Sequence, residues 1–185
     1  MSVTTEHALV RLVAVFAIAC AMVGLSVLMH EGGHGLLFRS RRLSTAVGFF
    51  GGLPVLISVT AYHSLHQRHH AEEGTSWDPD GIEHVAPQGF PLIAVYVLTL
   101  LVGAYLYLPH LAVRGWQLGR APVRRRILYE YALIVATHGL AWALLPADTM
   151  LWLWLFPLLI AVQLTNIRSL AEHGLTTSGN AFTAS

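Results

Sequence analysis

The chain has 185 residues, of which 55% are hydrophobic and only 11% charged, with a mean hydropathy of +0.57 and a formal net charge of +1. A soluble domain of this length carries about a quarter of its residues as charges to cover its surface, so lipid must cover much of this one and a water-soluble globular protein is excluded. The basic residues lie in short clusters beside apolar segments rather than in a stripe, which excludes a nucleic-acid-binding protein. All eleven basic residues are arginine. That usage points to a G+C-rich, bacterial genome and so to a bacterial inner (cell) membrane. Cys20 stands alone inside an apolar run, so neither a disulfide framework nor a thiolate metal site is available, and its expected role is packing.

Residues 8–29 form an apolar run of 22 positions broken only by Arg11, about the length needed to cross a hydrocarbon core. A secretory signal is the alternative for such a run. No small-residue cleavage site follows it, however, and it leads directly into HEGGH at 30–34. A transmembrane helix is expected, and Arg39, Arg41 and Arg42 just beyond it mark that end as cytoplasmic. Residues 46–62 are apolar but short, and Gly48, Gly51, Gly52 and Pro54 make them a poor straight helix. This segment is expected to dip into the membrane or lie on it rather than cross.

From 71 to 88 the chain turns polar, with a DPDG turn at 78–81, and reads as a solvent-side loop. Residues 90–113 are again apolar and are followed by Arg114, Arg120 and Arg124 to Arg126. Residues 127–145 and 150–165, joined by Pro146-Ala147-Asp148-Thr149, read as a helical hairpin. If His173, after that hairpin, lies on the side of the earlier histidines, then 90–113 must enter and leave on the cytoplasmic side. At 24 residues it is also long enough to cross. The expected fold is a single all-α integral membrane domain over 1–185, with about three to four transmembrane helices plus a re-entrant or interfacial segment and the histidines on the cytoplasmic side.

The histidines carry the chemistry. In HSLHQRHH at 63–70, His66, His69 and His70 stand at i, i+3 and i+4, on one side of a helix. A basic amphipathic helix at the lipid surface is the plain explanation, but three imidazoles on one face are a metal-ligand set for iron or zinc. His63 belongs to the run but lies outside that spacing. His30 and His34 repeat the i, i+4 separation at the end of the first apolar run, and His173 follows the last one in NIRSLAEHG. Each of His7, His84, His110 and His138 is read as a hydrogen-bonded bystander. HEGGH alone also fits an intramembrane zinc metalloprotease, with Glu31 as general base and an aspartate of DPDG as third ligand. That alternative leaves HxxHH and His173 unexplained.

Taken together, HEGGHGLLF at 30–38, HSLHQRHH with DPDG at 63–81 and an apolar hairpin ending in NIRSLAEHG at 166–174 resemble the membrane fatty acid desaturase superfamily. Its members carry an HxxxH box and two HxxHH boxes and use O2 with two irons. The resemblance implies that His30 and His34 form the first box, that His66, His69 and His70 form the second, and that His173 is the further histidine ending the last helix before a third box. His63 has no counterpart. The superfamily usually has another membrane helix before the first box, and its third box follows the equivalent of His173. The resemblance therefore implies a domain incomplete at its C-terminus and short at its N-terminus.

The chemistry so implied is removal of two hydrogens from neighbouring carbons of a lipid acyl chain, by two non-haem iron ions and O2 at the cytoplasmic interface. Electrons would come from a ferredoxin or a cytochrome b5. Related members hydroxylate or add keto groups to carotenoids or sphingolipids, and an inactive membrane fragment is a further alternative. Asn166 is expected to cap a helix or hold a water. Asp78 and Asp80 are expected to form the turn or, failing that, to orient ligand imidazoles.

Overall fold

The computed structural model describes residues 3–72, 75–79 and 89–173, and helix is the only regular structure among them. The chain starts with α1 (Val3–His34), returns through α2 (Arg41–Gly52) and a short 3-10 turn (Leu53–Val55), and turns again into α3 (Val59–Glu72). α4 (Phe90–Leu98), a π turn (Thr99–Gly103) and α5 (Ala104–Leu118) follow without interruption as one helical rod. α6 (Ala121–Leu144) and a short α7 (Ala147–Met150) lead through a second π turn (Leu151–Leu155) into α8 (Phe156–His173). Among the described residues, four helices are long and apolar enough to cross a membrane: His7–His34, Phe90–Leu118, Ala121–Leu144 and Ala147–Leu170.

At 32 residues, α1 is about 48 Å long, well beyond a hydrocarbon core of about 30 Å. The excess length carries HEGGH as helix. The turn comes one residue later. Gly35, at φ +79°, lets its N–H donate to Gly32 O while Leu36 N–H donates to Glu31 O, closing the helix in a Schellman motif. Gly32, inside the box, and the glycines of α2 have another use, which is to let backbones touch. A Cβ on Gly32 would stand 2.6 Å from Gly48 Cα, and one on Gly51 would stand 2.6 Å from Leu25 O. α2 thus lies directly on α1.

Pro54, at the start of the 3-10 turn, and Leu56, at φ +62°, then break the helix. α3 leaves at 100° to the α2 segment. Residues 46–62 therefore form a sharp elbow in place of a straight helix, as their glycines and Pro54 suggested. The expected hairpin is present too, as α6 followed by α7 and α8.

Two apolar clusters hold this arrangement together. Ala19 and Met22 of α1 pack with Val55, Leu158 and Ala161, while Ala61 and Leu65 of α3 pack with Leu111 and Ile127. α1 and α8 run in the same direction: Arg11 stacks over Trp152, and further along both helices Met22 shares a cluster with Ala161. Twelve more residues bring α1 to His34 and α8 to His173. The two helices consequently end at the same end of the bundle.

The α4–α5 rod is mostly exposed along its apolar length, and it touches α3, α6 and α8. Asn166 Nδ2 donates to Thr99 O at 2.8 Å, and Gly115 lies so close to Ala61 that a Cβ would stand 2.5 Å from the Ala61 carbonyl oxygen. Asn166 thus ties α8 to the π turn instead of capping a helix.

Because α2 rests on backbone contact, Gly51→Ala is expected to overpack the α1–α2 seam and cost about 1–3 kcal/mol. Gly24→Ala, with nothing within 4 Å of the new carbon, is expected to be neutral or to stabilise by up to about 1 kcal/mol. Thermal unfolding in detergent checks the contrast, and equal effects at the two positions would contradict the packing described.

Candidate metal centre

α1 presents His30 and His34 one turn apart, and α3 presents His66 and His70 in the same way. Where the helices meet, the four side chains each offer a ring nitrogen, all within 4.8 Å of one another. Nε2 of His66 is 2.9 Å from Nε2 of His30 and 3.0 Å from Nε2 of His70. The His34 ring centroid lies 4.7 Å from that of His30 and 5.2 Å from that of His66. His66 is buried at the back of the group, His30 and His34 are half-buried and His70 is exposed, so the cluster opens toward solvent at one side. Tyr62 stacks on His66 at 4.8 Å and shields the rear.

These residues fit a metal ion. Nitrogen–metal bonds of about 2.0–2.1 Å place tetrahedral ligand nitrogens about 3.3 Å apart, close to the 2.9 and 3.0 Å separations here. The protonation states also suit it. Glu31 can only accept, so the Nδ1 of His30, 3.0 Å from Glu31 Oε1, carries the proton and its lone pair is on Nε2, facing His66. Burial, followed by the neighbouring His70, His30, His34 and His69, holds the His66 imidazole down to a pKa of about 2. It is a neutral donor throughout the physiological range.

His69 is not part of this group. On a helix, position i+3 points about 100° away from position i+4, and His69 uses that difference to reach Asp78. Its Nδ1 lies 2.8 and 3.0 Å from the two Asp78 oxygens, with both side chains buried. The carboxylate fixes the proton on Nδ1 and so leaves the Nε2 of His69 as the donor atom, the arrangement of an oriented metal-ligating histidine. Sequence reasoning gave turn formation the greater weight for Asp78. The Asp78 N–H does donate to Thr75 O at 3.2 Å, but the side chain serves His69.

His63 is turned aside, accepting from Arg41 at 3.4 Å. His138 bonds the Ile134 carbonyl within its own helix at 2.8 Å, and His7 lines a hollow with Arg11 and Trp152 on the part of α1 remote from the boxes. His173 is the last residue of α8, and its side chain lies outside the described residues, as do Asp80 and His84. The structure thus gathers His30, His34, His66 and His70, sets His69 beside them, and brings the helix bearing His173 to the same end.

The structure also assigns Glu31 a use. Bonded to His30, it serves as an orienting partner, whereas a zinc protease would aim it at the water it deprotonates.

Since the unfolded chain takes up protons near pH 6.5 and folded His66 does not, the metal-free protein loses stability as the pH falls below that value. The loss is at most about 1.4 kcal/mol per pH unit from this group. Its thermal transition is expected to drop between pH 7 and pH 5, and His66→Asn is expected to flatten that slope. An unchanged slope in the variant would show that His66 is not the group responsible. Asp78→Asn is expected to weaken metal binding about 10- to 100-fold by freeing the His69 ring, as read by equilibrium titration with Co(II).

A family model described as fatty acid desaturase matches residues 7–183. No curated protein and no solved structure matches the chain. With histidine pairs from two helices meeting at one end of an all-helical, membrane-suited bundle, and a family match over nearly its whole length, the chain belongs to the fatty acid desaturase family.

Proposed function

We propose that this chain is the histidine-bearing core of an O2-dependent di-iron oxidoreductase that introduces a double bond into a lipid acyl chain. The observation that carries this reading is the convergence of four imidazole nitrogens from α1 and α3 within 4.8 Å, with His69 held apart by Asp78. One ion suits the four-histidine group. His69 and, as the family resemblance implies, His173 suit a second. Iron bound there supplies the one-electron and O2 chemistry needed to break an unactivated C–H bond, which no side chain can do.

The protein's part is to hold and orient. Glu31 and Asp78 keep the ring protons of His30 and His69 on Nδ1. Tyr62 and the buried face of α3 shelter the rear of the group, while the side at His70 stays open. All-nitrogen ligation with oriented imidazoles suits redox iron, whereas hydrolytic zinc keeps three ligands and a water. Exposed Arg39, Arg41 and Arg42 follow the first box and give an acidic electron donor, such as a ferredoxin or a cytochrome b5, a positive surface beside the site. Their excess also supports a cytoplasmic site in a bacterial inner membrane.

Metal analysis of the purified protein is expected to return iron. Lipid profiling of a host that expresses the full-length protein with a donor is expected to show new acyl double bonds. His66→Ala and His70→Ala are expected to lose the metal with their helices retained, and His110→Ala to change little. Zinc together with peptidase activity lost on Glu31→Gln would replace this reading with the protease. Altered carotenoids or sphingolipids in place of acyl chains would move the activity to a hydroxylase or ketolase.

A further inference from the structure

Glu130 is the only acidic residue of α6 and stands on its apolar length. Its side chain is 8% exposed, and an ionised carboxylate at such a place persists only if its oxygens are fully engaged. They are, chiefly by the first turn of α3. Ser58 Oγ and Thr60 N–H donate to Oε2 at 2.6 and 3.0 Å, and Thr60 Oγ1 and Arg126 Nε donate to Oε1 at 2.6 and 3.0 Å. Ser58 in turn accepts from Ala61 N–H at 3.0 Å. The carboxylate thus satisfies an N–H that opens the helix and sits at the positive end of the helix dipole. It does so for the helix that carries His66, His69 and His70.

We propose that Glu130 is a positioning residue for the metal centre: its carboxylate clamps the first turn of α3 and sets the angle at which His66 and His70 meet His30 and His34. The proposal rests on the histidine cluster being a metal site. Thr60 and His66 are six residues apart, about 9 Å along the helix, so a tilt of roughly 10° about the clamp moves His66 by about 1.5 Å. A metal site tolerates about 0.5 Å. α3 is also held by apolar contacts with Leu111 and Ile127, by the Gly115 backbone approach and by Val59 seated against Gly33 and Gly48, which resist separation but give little angular control, and by the longer Arg41–His63 bond. The elbow before Ser58 contains a residue at φ +62°. Three directional bonds from Ser58 and Thr60 to one carboxylate on α6 supply that angular constraint.

The test uses the full chain in lipid nanodiscs with Co(II) as the metal. Affinity is read by titration, ligand geometry by the visible absorption of the cobalt, and fold stability separately by thermal unfolding without metal. Glu130→Gln puts an amide donor where a hydroxyl or guanidinium already donates, and Thr60→Val removes one hydroxyl from the clamp. Both are expected to weaken Co(II) at least tenfold and to change its spectrum. Ile134→Ala, buried one turn further along the same helix, is expected to lower thermal stability while keeping affinity within twofold and the spectrum unchanged. If Glu130→Gln does not fold, Thr60→Val and Ser58→Ala decide. Wild-type affinity and spectrum in the clamp variants, or an equal loss in Ile134→Ala, would overturn the proposal. Retention of Co(II) by His66→Ala would instead remove the metal centre on which it rests, whereas an absence of lipid oxidation bears only on the reaction.

Discussion

The meeting of Nε2 atoms at 2.9 and 3.0 Å around His66 is the constraint to which the rest of the fold answers. A neutral imidazole has one N–H and one lone pair, so such a crowd of rings gains little from its own N–H···N contacts and has to be assembled by helices that are held together elsewhere. α1 and α3 each provide an i, i+4 pair, and such pairs converge only if the two helices cross at the right turn. α1 is long enough to carry its pair beyond the lipid core. α3 reaches the same level because α2 descends and the chain then bends by 100°.

Much of this could be read from the residues. The hydropathy of residues 8–29 foretold the first membrane helix, and the glycines and Pro54 of 46–62 foretold a broken, returning segment. The i, i+4 pairs announced which side chains would share a helix face. What local pattern could not convey was the use made of each residue across helices. Gly32, Gly48 and Gly51 look like breakers in one dimension, but two of them sit within α2 and one within α1 because their missing Cβ atoms let the backbones meet. His69 looked equivalent to His66 and His70 because spacing alone puts all three on one broad face. The 100° between adjacent positions is enough to give it a different partner, and only the return of the chain at Asp78 settles which one.

Glu130 is the instructive omission. A carboxylate within an apolar run signals a buried ionic partner, and the sequence contains that signal in RRRILYEYALIV. Its donors, Ser58 and Thr60, lie about seventy positions earlier, and neither is unusual by itself. Arg126, one turn before Glu130, looks like part of a membrane-flanking cluster until its Nε is seen to donate to that carboxylate. Pairings of this range arise from the tertiary fold, and no periodicity in a single chain encodes them.

The elbow explains why the last helices matter to a site that they do not line with any described side chain. Irregular backbone among membrane helices needs partners for each N–H and carbonyl that regular helix would have satisfied. At 52–61 these come from two sources. Ile57 N–H returns to Gly52 O within the turn. Beyond the turn, Trp154, in the π turn before α8, donates to Pro54 O, and Glu130 on α6 takes up Ser58 and Thr60. Removing α6 or α8 would therefore leave the elbow with unsatisfied polar groups and α3 without a fixed direction, even with every histidine of the two boxes in place. The hairpin of α6 and α8 thus serves as the fixed wall against which the histidine helix is braced, in addition to anchoring the chain in lipid.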